Sequence, residues 1–168
     1  KDKKHNNSKT KKITSKKNLA KVFNFLENNF PLTSQISISL FEYLSVSNKK
    51  IGFYGYSLED ENNNLLGCIL TPLQFANNNS TDRKIIINLS TWFMIKEARG
   101  TQAILFVKEV LNDLKDYTIT DYTATVGAEK IFKFLGFEYM KGVKRVDSIF
   151  SCFSLKYLFG KKLISLSL

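Results

Sequence analysis

Residues 88–114, NLSTWFMIKEARGTQAILFVKEVLNDL, hold the groups whose types and order can do chemistry. An apolar strand is predicted to run up to Met94. A short charged turn follows over Ile95, Lys96, Glu97 and Ala98, and Arg99-Gly100 then opens a strongly apolar helix. A strand that empties through a glycine turn into a helix leaves several backbone N–H groups without intrahelical acceptors. Those donors, with the positive end of the helix dipole, make a place for phosphate. The implied ligand carries phosphate or pyrophosphate. An ordinary strand-to-helix turn has the same outline, so this stretch alone leaves both readings open.

Groups able to move protons are scarce beside it. No carboxylate lies in residues 84–94. Asn88 and Ser90 fall on one face of the predicted strand, with Thr91 on the other. Either could orient a water, but neither is a base at neutral pH. Cys68 and Cys152 sit in apolar runs, which argues for buried free thiols in a reducing compartment. Cys68 has no histidine near it in sequence, and the sole histidine, His5, lies far away at the amino terminus. The acids Glu59, Asp60 and Glu61 are expected at a solvated turn.

Two motifs in this order resemble the GNAT superfamily of acyl-CoA N-acyltransferases. That family places an Arg/Gln-x-x-Gly-x-Gly/Ala loop between its fourth strand and the next helix. Here the loop is Arg99-Gly100-Thr101-Gln102-Ala103-Ile104, with Gln102 where Gly is usual and Ile104 where Gly or Ala is usual. The family also carries Asn-x-x-Ala-x-x-x-Tyr-x-x-x-Gly-Phe. Residues 125–137 place Thr125 at the Asn, Ala128 at the Ala, Phe132 at the Tyr, and Gly136 and Phe137 at the closing pair. The phrase from Asn88 to Trp92, followed by Arg99, also looks like a bacterial branch of acyl-CoA acyltransferases.

The resemblance implies an α+β fold: a mixed, mainly antiparallel sheet flanked by helices, with a strand–glycine turn–helix site for CoA. By that resemblance the backbone of Trp92, Phe93 and Met94 runs beside the pantetheine arm. The N–H groups of Gly100, Thr101, Gln102, Ala103 and Ile104 hold the pyrophosphate, Arg99 adds charge, and Thr125 joins the cofactor-binding set. The side chains of Trp92 and Phe93 are better read as core. The implied reaction takes an acyl group, acetyl in the simplest case, from acetyl-CoA or another acyl-CoA to the amine of a small molecule or peptide. No metal is implied. Phe132 cannot donate the proton that the family's Tyr often gives to the leaving thiolate, leaving Tyr54, Tyr122 and Tyr139 as substitutes. The alternative is a catalytically degenerate GNAT-fold module that binds a protein or RNA partner.

Charge separates these readings from a third. The chain of 168 residues carries a formal charge of +10. Residues 1–17 hold eight lysines against one aspartate, so the body is near neutral. That start reads as a flexible basic tail whose removal leaves folding intact. Residues 18–168 read as one GNAT-like domain. Only three arginines, Arg83, Arg99 and Arg145, argue against a dedicated nucleic-acid reader. No run of 18 apolar residues predicts a membrane span, and the expected location is cytoplasmic.

The remaining elements follow from periodicity. Leu19, Val22, Phe23, Leu26 and Phe30 predict a helix over 18–30, with Ser15 as cap. Residues 33–44 are assigned to a helix over a competing strand pattern. A hairpin turns around residues 61–64, and residues 73–83 read as a polar loop. Residues 84–94 read as one strand buried on both faces. A strand over 117–126, a short helix over 128–135 stopped by Gly136, and a closing pair of strands complete the order. The family's first strand is absent or reduced to Lys12-Ile13-Thr14.

Overall fold

In the computed structural model, residues 8–29, 34–76, 84–121 and 124–138 are described. The elements run β1 (Lys9–Ile13), α1 (Lys16–Asn29), α2 (Ser34–Ser47), β2 (Gly55–Glu59), β3 (Leu65–Leu70), β4 (Leu73–Ala76), β5 (Lys84–Asn88), β6 (Ser90–Met94), α3 (Thr101–Asp113), β7 (Thr118–Thr120) and α4 (Val126–Phe134). All lie in the first of two compact units, Lys1–Gly136 and Phe137–Leu168. The predicted closing strands fall outside the described residues. The fold is α+β with mainly antiparallel strands and helices around them, as the sequence implies.

The first helices form for the reasons read from the sequence. The Ser15 Oγ accepts the Asn18 N–H at 3.1 Å, and Leu19, Val22, Phe23 and Leu26 are buried on one face of α1. Phe23 meets Phe41 of α2 edge to face, with ring centroids 5.4 Å apart. These residues join Ile13, Leu44, Tyr54, Cys68 and Leu70 in one apolar cluster.

One correction concerns the basic start. Residues 9–13 are not tail but strand β1, paired antiparallel with β2 from Lys9↔Glu59 to Ile13↔Gly55. A strand so rich in lysine suits a sheet edge, where charge discourages further pairing. Its alternation is hidden in the sequence because the inward residues are mostly polar. Lys11 and the fully buried Ile13 sit on the α1 side, and Lys11 reaches Glu59 at 2.5 Å. Thr10 and Lys12 face α3, where Thr10 bonds Glu109 and Lys12 pairs with Asp113 at 2.6 Å.

Two further corrections define the bend that makes the site. Residues 73–76, expected in a loop, form β4, and the single strand expected over 84–94 is two strands, β5 and β6, broken at Leu89. The strands β1, β2, β3 and β6 make one sheet, and β4, β5 and β7 make a second. The two sheets are linked by one bent antiparallel ribbon. Leu70 pairs with Ser90 before the bend and Leu73 with Ile87 after it. At the corner the Asn88 N–H donates to the Pro72 carbonyl at 3.0 Å. An unbroken apolar run cannot reveal such a corner, because both halves are equally apolar.

The strand expected over 117–126 is shorter than predicted. It ends at Thr120, and Val126 already belongs to α4. The pairing of β7 with β5 is parallel, through Ile86↔Thr118, Ile87↔Ile119 and Asn88↔Thr120. Helix α4 lies as expected within a residue or two, and Gly136, at φ +91°, follows its C-terminal end.

Candidate active site

Strands β5 and β7 stay together as far as the Leu89 N–H, which donates to the Thr120 carbonyl at 2.7 Å. Beyond that bond β6 turns to pair with β3 in the other sheet. Among the described residues β6 and β7 share no ladder, so the two strands part beyond Leu89. A second device reshapes β6. Between the pairs Cys68↔Phe93 and Leu70↔Ser90, β3 has one residue, Ile69, while β6 has two, Thr91 and Trp92. This bulge carries Thr91 at φ +52°, a costly conformation for a β-branched residue. The extra residue interrupts the ladder and redirects the backbone of β6.

The turn after β6 is tightly built. The Ile95 N–H donates to Leu66 at 2.9 Å, the fully buried Ala98 anchors a single 3₁₀ turn, and the Arg99 Nε donates to the Met94 carbonyl at 3.2 Å. Arg99 therefore braces the turn through one N–H while the residue remains exposed. Gly100 sits at φ +87°, a region that favours glycine, and begins α3 without a side-chain cap. The first helical bond runs from the Ile104 N–H to the Gly100 carbonyl at 3.2 Å. This narrows the expected cradle: Ile104 is engaged, while Gly100, Thr101, Gln102 and Ala103 keep the N–H groups that precede the first helical bond. Gln102, the bulky residue at a usual glycine position, directs its Nε2 to the Ser8 Oγ at 2.7 Å.

The predicted strand residues divide between packing and backbone. The Trp92 ring lies 5.5 Å from that of Phe132, which is itself buried. Phe93 meets Phe25 of α1 at 5.7 Å. Met94 is buried against Gly67, where any Cβ would collide with its Sδ and lie 2.8 Å from the Phe93 carbonyl oxygen. All three side chains are thus engaged in packing. Thr125 accepts the Ala128 N–H at 3.3 Å, which gives it the work of an N-cap for α4.

Asn88 and Ser90 do not share a strand face. Asn88 closes β5 opposite Thr120 in one sheet, while Ser90 opens β6 opposite Leu70 in the other. The alternation fails because the chain turns at Leu89 between them. Asn88 is buried; the half-buried Ser90 has its Oγ 3.4 Å from the Thr91 Oγ1. Both remain close in sequence to the point where the strands part.

Other candidates are removed from chemistry by their surroundings. Cys68 is a fully buried free thiol, and burial pushes its pKa up to about 12, so little thiolate forms at neutral pH. Glu59 is not solvated as expected: it is buried, with Lys11 at 2.5 Å and Lys21 at 3.2 Å. Burial alone would raise its pKa, but the hydrogen bonds and charge of both lysines outweigh it and hold the carboxyl below its ordinary value. Asp60 caps the hairpin turn, its Oδ1 accepting from the Asn62 and Asn64 N–H groups. Tyr54 is buried within the apolar cluster, while Tyr122 and Tyr139 fall outside the described residues.

No protein-family model matches this chain, and no curated protein matches it by sequence. Solved structures do match. A predicted acetyltransferase from Clostridium acetobutylicum, solved with acetyl-CoA, superimposes with a TM-score of 0.62 at 13% identity, over 84% of this chain and 95% of its own. Glucosamine-6-phosphate N-acetyltransferase from Arabidopsis thaliana gives a TM-score of 0.59 at 13% identity, over 86% and 99%. An aminoglycoside 6′-N-acetyltransferase from Acinetobacter baumannii gives 0.58 at 13% identity, over 86% and 100%. The chain has the fold of the GNAT acetyltransferases. Among the described residues, no helix is long and apolar enough to cross a membrane.

Proposed function

We propose that this protein transfers an acyl group, acetyl in the leading case, from an acyl-CoA to the primary amine of a small molecule or peptide. The observation that carries this reading is the parting of β6 from β7 next to an uncapped α3, entered through Gly100 at φ +87°. The pyrophosphate would take the N–H groups of Thr101, Gln102 and Ala103, with Arg99 supplying charge at the entrance. The pantetheine arm would lie along the backbone of Trp92, Phe93 and Met94. The Gln102 amide is held by Ser8, so this bulky residue would serve the site through its backbone N–H.

In the transfer, the nitrogen of a neutral amine bonds to the thioester carbonyl carbon and the C–S bond breaks. The amine loses a proton and the departing thiolate takes one up. β5 and β6 carry no carboxylate, so binding and orientation would supply most of the rate. Ser90 or Asn88, on either side of the corner at Leu89, would position a relaying water. The small-molecule amines named for two proteins of this fold support the acceptor class. Isothermal titration with acetyl-CoA, longer acyl-CoAs and free CoA, followed by thiol release in the presence of an amine panel, tests the proposal. Binding of acetyl-CoA with amine-dependent thiol release is the expected result.

A further inference from the structure

The segment that runs into β1 lies along α3 like a strap. Ser8, Thr10 and Lys12 occupy alternate positions, so their side chains leave the backbone on one side. Each meets the helix. The Gln102 Nε2 donates to the Ser8 Oγ at 2.7 Å, the Thr10 hydroxyl donates to a Glu109 carboxylate oxygen, and the Lys12 ammonium pairs with Asp113 at 2.6 Å. Gln102, Glu109 and Asp113 fall on one face of α3 by their spacing. The order is the same on both elements, so the strap follows the helix from its first turn to its last. Ser8 to Lys12 spans about 13 Å of extended chain and Gln102 to Asp113 about 17 Å of helix, a difference that long side chains take up.

The two ends are held unequally. Asp113 also accepts from the Tyr56 hydroxyl, and the Lys12 ammonium lies 4.7 Å from the centre of the Phe53 ring. At the other end, one bond between two neutral side chains joins strap to helix. That bond falls where little else fixes the backbone. No side chain caps α3, and a Cβ placed on Gly100 would meet nothing within 4 Å. Ala103 packs inward and Arg99 braces the preceding turn, so the Gln102 amide is the side chain that ties the first turn to a distant part of the chain. An uncapped helix end frays unless something holds it.

We propose that Ser8 and Gln102 are positioning residues for the first turn of α3, and that docking of the strap and binding of acyl-CoA phosphates to that turn strengthen each other. This rests on the acyl-CoA reading and adds regulation to it. A turn held by Ser8 keeps its N–H groups aimed for phosphate. Phosphate on those groups orders the turn and so favours the bond to Ser8. Such linkage is reciprocal. Anything that lifts the strap from α3 therefore lowers acyl-CoA affinity without touching the ligand.

Ser8→Ala deletes the acceptor, Gln102→Ala deletes the donor, and Ser8→Thr keeps the hydroxyl. The wild-type chain, these variants and the double alanine variant are titrated with acetyl-CoA. Melting temperatures and amide hydrogen exchange are measured with and without it. Each alanine variant should bind acetyl-CoA about threefold to tenfold more weakly, the scale of one neutral hydrogen bond. The double variant should be no worse than the weaker single one, because both remove the same bond, and Ser8→Thr should stay close to wild type. Acetyl-CoA should slow exchange along β1 in the wild-type chain and no longer do so in Ser8→Ala, while the melting temperature of ligand-free Ser8→Ala stays near that of wild type. Wild-type affinity in Ser8→Ala, additive losses in the double variant, or β1 exchange that acetyl-CoA leaves unchanged in the wild-type chain each overturns the inference while the functional reading stands. A large fall in the melting temperature of ligand-free Ser8→Ala also overturns it, since that marks a structural role. Wild-type protein that binds no acetyl-CoA overturns the functional reading and this inference with it.

Discussion

The face of the first sheet covered by α1 and the opening between β6 and β7 are built on opposite terms. On the α1 face apolar side chains interlock, and the charged groups at its edge are matched: Glu59 holds Lys11 and Lys21 together. Where β6 leaves β7, the strands part, a helix begins uncapped, and Thr91 occupies a strained backbone region. Backbone strain is held there, and the packed face supplies the stability that tolerates it.

The largest expected effect comes from taking away the edge that frames the packed face. Deleting residues 1–17 removes β1, its ladder with β2 and the buried Ile13, so the melting temperature should fall sharply, against the expectation drawn from composition. Deleting residues 1–7 should leave it unchanged. Thermal unfolding of the two truncations, followed by circular dichroism, separates them. Next in size, Leu70→Ala opens a cavity at a fully buried position and should cost about 2–5 kcal/mol in denaturant unfolding. A much smaller loss would mean the α1 face is not the stabilising half.

Arg99→Ala acts on the other region and should leave stability nearly unchanged while weakening CoA by about 1–2 kcal/mol, the range for a charged hydrogen bond. The Nε bond to Met94 sharpens this test. Arg99→Lys keeps the charge but loses the planar brace, so recovery by lysine assigns the effect to charge and no recovery assigns it to the shape of the turn. The smallest effect is electrostatic. The Glu59 pKa is depressed in the folded state, so its contribution to stability is present at neutral pH and fades as pH falls through the ordinary carboxylate range and below. Glu59→Gln should flatten that part of the stability-versus-pH curve; an unchanged acid slope would show that the pair contributes nothing measurable.

What the sequence disclosed follows the same division. The periodic apolar residues of α1 and α3, the Asn-rich hairpin turn and Gly136 were legible because each signal is local. β1 was not, because a lysine-rich edge strand is recognised only by the partners it meets, Glu59 and Asp113. The break at Leu89 was invisible within a continuous apolar run, and with it the separation of Asn88 from Ser90. The loop Arg99-Gly100 was found from its type and order, yet the number of available N–H groups needed the first helical bond at Ile104. The roles of Gln102 and Thr125 likewise depend on Ser8 and Ala128, which only the folded chain brings to them.

Titration of acetyl-CoA into the wild-type protein and Gly100→Pro tests the central claim most directly. Proline cannot adopt φ +87°, so the start of α3 must reshape its donors. The account predicts that wild-type protein binds acetyl-CoA, that Gly100→Pro loses more affinity than Arg99→Ala, and that its circular dichroism spectrum stays that of the folded chain. A folded Gly100→Pro variant with wild-type affinity would show that the first turn of α3 is not where the phosphates sit.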